Sequence, residues 1–533
     1  MLTRRRTLPR DLNTSPPPRS SAAVADRLPW SWLAAIAVTQ LILAAALAPH
    51  VMGEGDAAEF TLVLAVGGVP HPTGYPLYSL LGHAFVRVLH ALGFGWPLAA
   101  NLWSVAGATV ATLLAAALID RILPTDARLG RGARLAIVVA AVLALVTNPV
   151  FLRAATQAEV YGWHTAWVAG SMLAGLCLYR RLTGATPISR QRTCVLAFGW
   201  GLLAGAGLSH HLTSVFFVVP LTLLLAIGAS RASRLEPVTM TAALAGLAFP
   251  LLSYAFVAWR AFHPAPFQWP ALEPTARSVL AHASGSVYRV YLGGFRPSES
   301  ESRLLLWNVA PVVLPGLAAA LLAALHDGRE ADGPPLAALL AAGALQLAFT
   351  LVYGISDPSA SMLPVMLVAV AALARAVARE LSRRTRSLAL AIIVLAAVAS
   401  LGTACTVSEF EHVRRIEQVD RDLRQAFRTI PFRRGIVVWN SDSYVRLRAY
   451  QLLDGDQPGL IVLNPTTLTW DPARRAETRA LGFDPLAGLR LESDADLDGV
   501  AANIARQTRL PVVDFASWWD RFGALHSSVV SPG

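Results

Sequence analysis

The sequence predicts a polytopic α-helical membrane protein that ends in a small α/β domain. The chain has 533 residues, of which 54% are hydrophobic and 15% are charged, a composition too apolar for a soluble protein of this length. Apolar runs of about 20 residues recur, and each is long enough to cross a hydrocarbon core of about 30 Å. After residue 408 the pattern changes, because helix-like and strand-like segments alternate there.

Eleven apolar runs predict membrane spans, and a twelfth run, residues 76–92, is ambiguous because it is short and holds Arg87, His83 and His90. The predicted spans are residues 29–49, 97–119, 135–152, 160–179, 194–209, 212–229, 238–259, 304–325, 336–354, 360–378 and 387–406.

The arginine distribution decides whether residues 76–92 cross the membrane. If this run does not cross, the N-terminal arginines and the arginine-rich loops at residues 121–134, 180–192 and 379–386 all lie inside, as the positive-inside rule requires. If it crosses, each of these later loops moves to the outside. We therefore predict an interfacial helix at 76–92, within a first outer loop at residues 50–96.

Three regions follow from this topology. Residues 1–28 are Pro- and Ser-rich and predict a disordered cytoplasmic tail. Residues 29–408 form the transmembrane domain, whose first run is too long for a signal-peptide core and predicts an uncleaved anchor. Residues 409–533 form an α/β domain on the outside, with strands at 435–439, 459–464 and 510–515 and a helix at Tyr444–Leu453.

Composition also excludes some classes of function. The formal charge of +11 could indicate nucleic-acid binding, but the arginines cluster in short loops between apolar runs, so they indicate membrane topology instead. Cys177, Cys194 and Cys405 are scattered and form neither a CxxC pair nor a disulfide framework.

The unusual polar residues gather on one predicted face of the membrane. Residues 53–75, 153–164, 208–211, 261–302 and 353–361 all fall outside in this topology. Ionisable groups at a bilayer edge cost free energy unless they are solvated, paired or used. This asymmetry predicts a functional site on the extracytoplasmic side.

One motif of the first outer loop resembles a known family. Asp56-Ala-Ala-Glu59-Phe60, followed by HPTGYPLY at residues 71–78, is similar to the opening motif of the bacterial relatives of transmembrane protein 260, which are protein O-mannosyltransferase-like members of the GT-C glycosyltransferase class. Weaker matches follow in order at residues 158–164, residues 207–212, Trp269-Pro270 with Tyr288, Asp357 with Met362-Leu363-Pro364, and residues 439–442. The chain departs from the family at Ser441-Asp442, where relatives more often carry Gly-Asp, and at the doubled His210-His211.

The resemblance implies a fold, an activity and partners. The fold is a GT-C membrane core whose first outer loop carries the catalytic acid. The activity is transfer of a sugar, with mannose as one candidate, from a polyprenyl-phosphate donor to an extracytoplasmic hydroxyl with inversion. The partners are membrane lipid, the polyprenyl-phosphate sugar and a protein or glycan acceptor, and no cofactor or metal is expected. The protein would lie in a bacterial inner membrane.

This chemistry needs a base for the acceptor hydroxyl and groups that stabilise the departing phosphate. Asp56 is the predicted base, against the alternative of a solvated loop acid. Glu59 could orient Asp56 or the acceptor, and His71, which stands between two prolines, could donate to the donor phosphate or to a sugar hydroxyl.

Further residues are candidates for binding the substrates. Outer-face arginines are natural phosphate clamps, whereas the tyrosines and histidines could equally be interfacial anchors or span-end residues. These candidates are Glu54, Tyr75, Arg153, Glu159, Tyr161, His164, His211, Arg289 and Arg296. A metal site formed by Glu159, His164 and His210-His211 is disfavoured, because the spacing is not a known ligand signature. Asp357 is more simply a helix cap.

Two other functions stay open. A transporter or flippase for a lipid-linked substrate would tend to show inverted repeats and polar breaks near the midplane, but here the polar residues collect at one face. A non-catalytic scaffold that presents the 409–533 domain would leave the cluster of carboxylates and histidine unexplained.

Overall fold

The computed structural model describes residues 27–124, 129–184, 186–327, 333–355, 357–489, 497 and 499–521. Almost all of the predicted cytoplasmic tail, residues 1–28, lies outside the described residues, and so does the end of the chain beyond residue 521.

The membrane domain is a bundle of helices in the order predicted. Among the described residues, nine helices are long and apolar enough to cross a membrane, or ten if one bent pair counts as a single span. The predicted count of eleven also included residues 160–179, which form a helix of 23 residues that is not among these nine. The helices are α1 (Trp30–Leu47), α2 (Ala57–Val66), α3 (Pro76–Ala91), α4 (Trp96–Ile122), α5 (Arg131–Val146), α6 (Pro149–Thr156), α7 (Tyr161–Thr183), α8 (Arg190–His210), α9 (Val215–Arg231), α10 (Pro237–Leu251), α11 (Tyr254–Phe262), α12 (Ala276–Ala283), α13 (Glu299–Leu304), α14 (Ala310–Asp327), α15 (Gly333–Val352), α16 (Leu363–Ser382) and α17 (Ser387–Arg428).

The predicted span at residues 135–152 is two helices rather than one. α5 and α6 meet at an angle of 70°, because Pro149 cannot continue the hydrogen-bond ladder of the preceding helix. Asn148 then begins α6, and its side-chain oxygen accepts a hydrogen bond from Val150 N at 3.0 Å. The break turns α6 away from the bundle axis and directs Arg153 towards the site described below.

Glycines allow α8 and α10 to pack with their backbones in contact. A Cβ added at Gly201 would lie 2.0 Å from Ala243 O, one at Gly205 would lie 2.3 Å from Leu247 O, and one at Gly246 would lie 2.2 Å from Phe198 O. Small residues are what helix pairs in lipid use to approach closely. The pair is therefore specified by the absence of side chains at these three positions.

The segment predicted as the first outer loop, residues 50–96, holds two helices. α2 is a short apolar helix whose residues from Ala57 to Ala65 are all buried, and it ends at Gly67, whose φ of +66° suits a residue without a Cβ. α3 begins at Pro76 and is amphipathic, with Leu80, Leu81 and Val88 exposed. A helix at 76–92 was predicted, and it is too short to appear among the candidate spans.

The C-terminal domain is connected to the membrane bundle by one continuous helix. α17 runs without a break for 42 residues, so it passes through the predicted boundary at 408/409 and carries the amphipathic segment as its last turns. Three parallel strands follow, in the order β2-β1-β3: β1 (Gly435–Val438), β2 (Leu460–Leu463) and β3 (Val512–Asp514). The helices of the domain are α18 (Tyr444–Asp454), α19 (Pro465–Leu468), α20 (Asp471–Leu481) and α21 (Val500–Gln507).

The sheet buries both faces, and one face joins the domain to the first outer loop. Ile436 and Val438 point to a core with α21, whereas Val437 points to the opposite core, as the two-residue period of a strand requires. That second core also contains Leu62 and Val63 of α2. The domain is thus packed on the loop that carries the predicted catalytic motif.

Charged contacts strengthen this junction. Arg446 of α18 is buried, pairs with Asp420 at 3.3 Å, and donates a hydrogen bond to Gly53 O at 2.6 Å. Arg475 of α20 pairs with Glu273 at 2.7 Å, which ties the domain to the long loop after α11. The C-terminal domain is therefore held against two segments of the membrane domain.

Candidate active site

The first outer loop folds so that a histidine and a carboxylate meet in its interior. Glu59 lies in the first turn of α2, and the turn after the helix brings His71 back to it. The backbone N–H of His71 donates to Glu59 Oε1 at 2.6 Å, and its Nδ1 lies 3.2 Å from both carboxylate oxygens. Side-chain exposure is 11% for His71 and 8% for Glu59. The pair is a buried, hydrogen-bonded unit.

The other edge of the His71 ring faces Tyr75 and Asp56. Its Nε2 lies 3.0 Å from the Tyr75 hydroxyl and 3.8 Å from Asp56 Oδ2. Phe60 packs edge-on against both the His71 and the Tyr75 rings, at 5.4 and 5.7 Å between centroids. The imidazole is held on several sides, so it has one orientation relative to Asp56.

Neighbouring charges shift the pKa values of His71 and Asp56. Burial lowers the pKa of His71, but the carboxylates of Glu59 and Asp56 outweigh that effect and raise it to about 9. The ring is therefore an imidazolium at neutral pH, and it donates from both nitrogens. Although the side chain of Asp56 is open to the cavity described below, the surrounding protein desolvates it and raises its pKa; the His71 cation lowers this pKa, the Glu59 carboxylate raises it, and the net direction is upward.

The side chain of Asp56, unlike that of Glu59, is exposed. It stands immediately before α2, beside Gly55 whose φ is +56°, and its side chain is 53% exposed. That exposed surface faces a cavity of about 1050 Å³ between the membrane bundle, the first outer loop and the C-terminal domain. A molecule in the cavity can reach this carboxylate directly.

Three arginines line the membrane-domain side of the cavity. Arg153 comes from α6, and Arg289 and Arg296 come from the long loop after α11. The Nε of Arg153 lies 3.5 Å from Glu409 Oε2 of α17, whose side chain is only 2% exposed. This buried carboxylate fixes one end of the Arg153 guanidinium and leaves the rest facing the cavity.

Besides Glu301 of α13, two further carboxylates line the cavity from the helical bundle. Glu159 lies in the turn before α7, and Asp357 lies in the turn before α16. Burial raises the pKa of each, and the nearby charge of Asp56 raises it further. Asp357 was predicted as a helix cap, but the residue at the N-cap position of the short 3-10 helix there is Ser359, and Asp357 faces the cavity.

The C-terminal domain completes the cavity wall. Asp442 follows β1 and Thr466 follows β2, so the carboxyl ends of two neighbouring strands point into the cavity, the usual position for ligand contacts on a parallel sheet. Tyr444 and Trp470 lie beside them, and Trp470 packs against Trp269 of the membrane domain at 4.9 Å between ring centroids.

Asp56, Glu59 and His71 could also offer ligands to a metal ion. One ligand atom from each lies within 4.8 Å of the others. The two nitrogens of His71 already face Glu59 and Tyr75. A site without metal stays a prediction.

The structure brings together almost all of the residues predicted from the sequence. The predicted residues that line the cavity are Glu54, Asp56, Glu59, His71, Tyr75, Arg153, Glu159, Tyr161, His211, Arg289 and Arg296. His164 lies behind the wall with a side chain almost fully buried, stacked on His211 at 4.5 Å between ring centroids and with Nε2 3.2 Å from Thr213 Oγ1. Its place is to support His211 rather than to face a substrate.

Several cavity residues were not predicted as site residues. Trp269, Tyr288, Asp357 and Asp442 lie in segments that resemble the family, so the sequence carried a signal for them. Trp470 had no such signal, because it follows the second strand by several residues and reaches the cavity only through the tertiary fold.

Comparison with known proteins confirms the resemblance found in the sequence. The model of the protein O-mannosyl-transferase TMEM260 N-terminal domain matches residues 56–234, which begin at Asp56 and include the HPTGYPLY motif. No curated protein sequence matches the chain.

Solved structures of two membrane proteins are similar to the chain. The oligosaccharyltransferase of Archaeoglobus fulgidus in the apo form has 12% sequence identity and a TM-score of 0.52, over 88% of this chain and 68% of that chain. ArnT from Cupriavidus metallidurans bound to undecaprenyl phosphate has 14% identity and a TM-score of 0.49, over 84% of this chain and 89% of that chain. At this identity the oligosaccharyltransferase shows a shared fold, which confirms the predicted GT-C-like architecture of a multi-pass membrane protein.

Proposed function

We propose that this protein is an inverting GT-C glycosyltransferase that moves a sugar from a polyprenyl-phosphate donor to an acceptor hydroxyl, with Asp56 as the general base. Mannose is the first candidate for the sugar, because the matching family model describes an O-mannosyltransferase domain. The site would lie on the extracytoplasmic side of a bacterial inner membrane, as the arginine distribution predicts.

The observation that carries this proposal is the difference in access between two carboxylates of one cluster. Asp56 is 53% exposed to the cavity, whereas Glu59 is 8% exposed and hydrogen-bonded to His71. A base must reach the proton that it removes, and within this cluster Asp56 has that access. Its raised pKa makes it a stronger base than an ordinary aspartate.

The proposed reaction uses residues that line the cavity. The acceptor oxygen attacks the anomeric carbon while Asp56 takes its proton, and the bond from that carbon to the phosphate oxygen breaks with its electrons on the phosphate. Arg153, Arg289 and Arg296 line the cavity and would bind that phosphate, because the donors of arginine form a rigid fork that suits phosphate. Attack opposite to the leaving phosphate would invert the anomeric centre.

His71 would act through its charge. Because its pKa is about 9, the ring is cationic at neutral pH, and it lines the same cavity as the arginines. It orients Asp56 and adds positive charge near the departing phosphate. Glu59 keeps the ring protonated and correctly turned, which is a positioning role.

The experiment is sugar transfer in membranes that contain the full-length protein, supplied with labelled polyprenyl-phosphate mannose and polyprenyl-phosphate glucose. Asp56→Asn should lower transfer by about 10²–10⁴-fold, the usual contribution of a general base. Asp471→Asn is the matched control, because this aspartate is 79% exposed and lies outside the cavity. Labelled lipid that crosses the membrane without transfer would instead favour a flippase.

A further inference from the structure

The two walls of the cavity differ in where their arginines lie. Arg153, Arg289 and Arg296 all come from the membrane domain. Among the residues that the structure describes, the C-terminal domain contributes no arginine to the cavity. It contributes the carboxylate of Asp442, the hydroxyls of Thr466 and Tyr444, the indole of Trp470 and the apolar side chain of Val445. Among the described residues, phosphate therefore has arginine partners on the membrane-domain wall alone, whereas the C-terminal wall offers an uncharged hydroxylated molecule hydrogen-bonding and aromatic partners without a cation.

Hydrogen bonds connect the two loops that form the C-terminal wall. Thr466 donates a hydrogen bond to Asn440 Oδ1 at 2.7 Å, and Asn464 donates from its amide to Ser441 O at 3.3 Å. These bonds connect the loop after β1 to the loop after β2. They hold together the loops that carry Asp442 and Thr466 at the carboxyl edge of the sheet, where parallel sheets bind ligands.

An aromatic surface continues this wall into the membrane domain. Trp470 and Trp269 lie 4.9 Å apart between ring centroids, with their planes inclined by 59°. Trp269 is also 6.4 Å from the His71 ring. Large aromatic faces next to hydrogen-bonding groups suit a molecule with an apolar face and polar edges. A sugar ring has this character, since its C–H groups and hydroxyls lie on different sides.

An extended peptide, the alternative acceptor, lacks one common binding mode on this wall. Peptides commonly bind folded domains by adding a strand to the free edge of a sheet. The edge strands here are β2 and β3, and in the described structure neither strand contributes a residue to the cavity. The C-terminal domain presents side chains to the cavity instead of an open row of backbone groups.

From these observations we infer that the C-terminal domain forms the acceptor subsite and that its acceptor is a saccharide. The inference rests on the function proposed above and names its acceptor class. The sugar ring lies on the Trp470–Trp269 surface, and Asp442 and Thr466 hydrogen-bond its hydroxyls. One hydroxyl then faces Asp56 across the cavity, with the donor phosphate on the arginine wall.

The test uses the full-length protein, labelled polyprenyl-phosphate mannose and two kinds of acceptor probe. The probes are a set of para-nitrophenyl glycosides and a set of peptides that contain serine and threonine. The expected result is label on a glycoside. Trp470→Ala and Asp442→Asn should each raise the acceptor KM by about tenfold and leave the donor KM within twofold, because a lost contact of about 1.4 kcal/mol is a factor of ten.

Two further variants distinguish the loss of an acceptor contact from a general disturbance of the domain's structure. Trp470→Phe keeps an aromatic face and should keep the acceptor KM within about threefold of the wild type. Asp471→Asn, next in the chain but outside the cavity, should change neither KM. A general unfolding of the domain would instead lower kcat and affect both substrates.

The outcomes separate this inference from the proposed function. Label on peptides alone, or an acceptor KM unchanged in both Trp470→Ala and Asp442→Asn, overturns the saccharide subsite and leaves the glycosyltransferase intact. Release of sugar from the donor with no glycoside product overturns it too. A wild-type protein that neither cleaves nor transfers from any polyprenyl-phosphate donor overturns the proposed function, and the subsite with it.

Discussion

Replacing Glu59 by glutamine should move the alkaline limit of the transfer reaction towards neutral pH. Glutamine keeps the size of the side chain, and its oxygen can still accept from the His71 backbone N–H, which is 2.6 Å from Glu59 Oε1. The substitution removes the charge that, among the carboxylates near His71, raises the pKa of the ring most. The His71 ring would then lose its proton at a lower pH.

The size of the effect follows from the pKa of His71. Its value of about 9, against an ordinary 6.5, corresponds to about 3 kcal/mol in favour of the protonated ring at about 1.4 kcal/mol per pH unit. Burial works against protonation, and Glu59 and Asp56 share the opposing effect. Loss of Glu59 should therefore lower the alkaline limit from about pH 9 by at least about one pH unit.

The Glu59–His71 pair should also make the stability of the fold depend on pH. Because the pKa of His71 is raised in the folded chain, its contribution is complete below about pH 6.5 and is lost as pH rises through about 9. The wild type should thus become less stable between these values, and Glu59→Gln should show a smaller loss over the same range.

The assay is the initial rate of transfer at saturating donor from pH 5 to pH 10. Glu299→Gln is the matched control, since Glu299 has an 82% exposed side chain and does not line the cavity; its profile should coincide with that of the wild type. A Glu59→Gln profile with the same alkaline limit as the wild type would refute the role given to the Glu59–His71 pair.

Three other perturbations test the site, the junction and the topology. Arg153→Gln should raise the donor KM by about tenfold and leave the acceptor KM unchanged, because it removes one phosphate contact; steady-state kinetics with each substrate varied in turn checks this. Arg446→Ala should destabilise the C-terminal domain by about 3–5 kcal/mol, since it leaves Asp420 buried without its charged partner. Thermal unfolding of the purified protein measures it, with Arg428→Ala as the control, because the Arg428 side chain is 55% exposed and its partner Asp456 is also bound by Arg424. Single cysteines at positions 55 and 94 should both be labelled from outside the cell by a reagent that does not cross membranes, and labelling of position 94 only from inside would contradict the predicted topology.

The fold was predictable from the sequence because membrane helices and buried strands leave simple patterns. The length of an apolar run is set by the bilayer, so the boundaries of α1, α4 and α8 were predicted to within a few residues. The strands β1 and β2 were predicted for the same kind of reason, since a strand buried on both faces is a short continuous apolar run. The edge strand β3 was predicted from a similar apolar run, although it is only partly buried.

Two features of the fold were not predictable in this way. The predicted span at 135–152 is bent at Pro149, and a hydropathy pattern does not show the direction of a bend. The predicted boundary at residue 408 lies inside α17, because the helix continues into water by changing from an apolar surface to an amphipathic one. A change in composition marks a change of environment, and it need not mark the end of a helix.

The cavity was predictable in part for a related reason. The topology placed the polar segments on one face, and the structure shows that residues from these segments line one cavity. What the sequence did not show was which residues face inward. His164 and His211 both lie at span ends, yet only His211 lines the cavity, and Trp470 depends on how the C-terminal domain packs against α2.

The central claim is that Asp56 takes the acceptor proton, and the most direct measurement separates donor binding from transfer in Asp56→Asn. The full-length variant would be saturated with labelled polyprenyl-phosphate sugar and mixed with acceptor, and the single-turnover rate would be compared with that of Asp471→Asn. Donor binding should stay within a few-fold of the wild type, and the transfer rate should fall by about 10²–10⁴-fold. A variant that binds donor and transfers the sugar at the wild-type rate would contradict it.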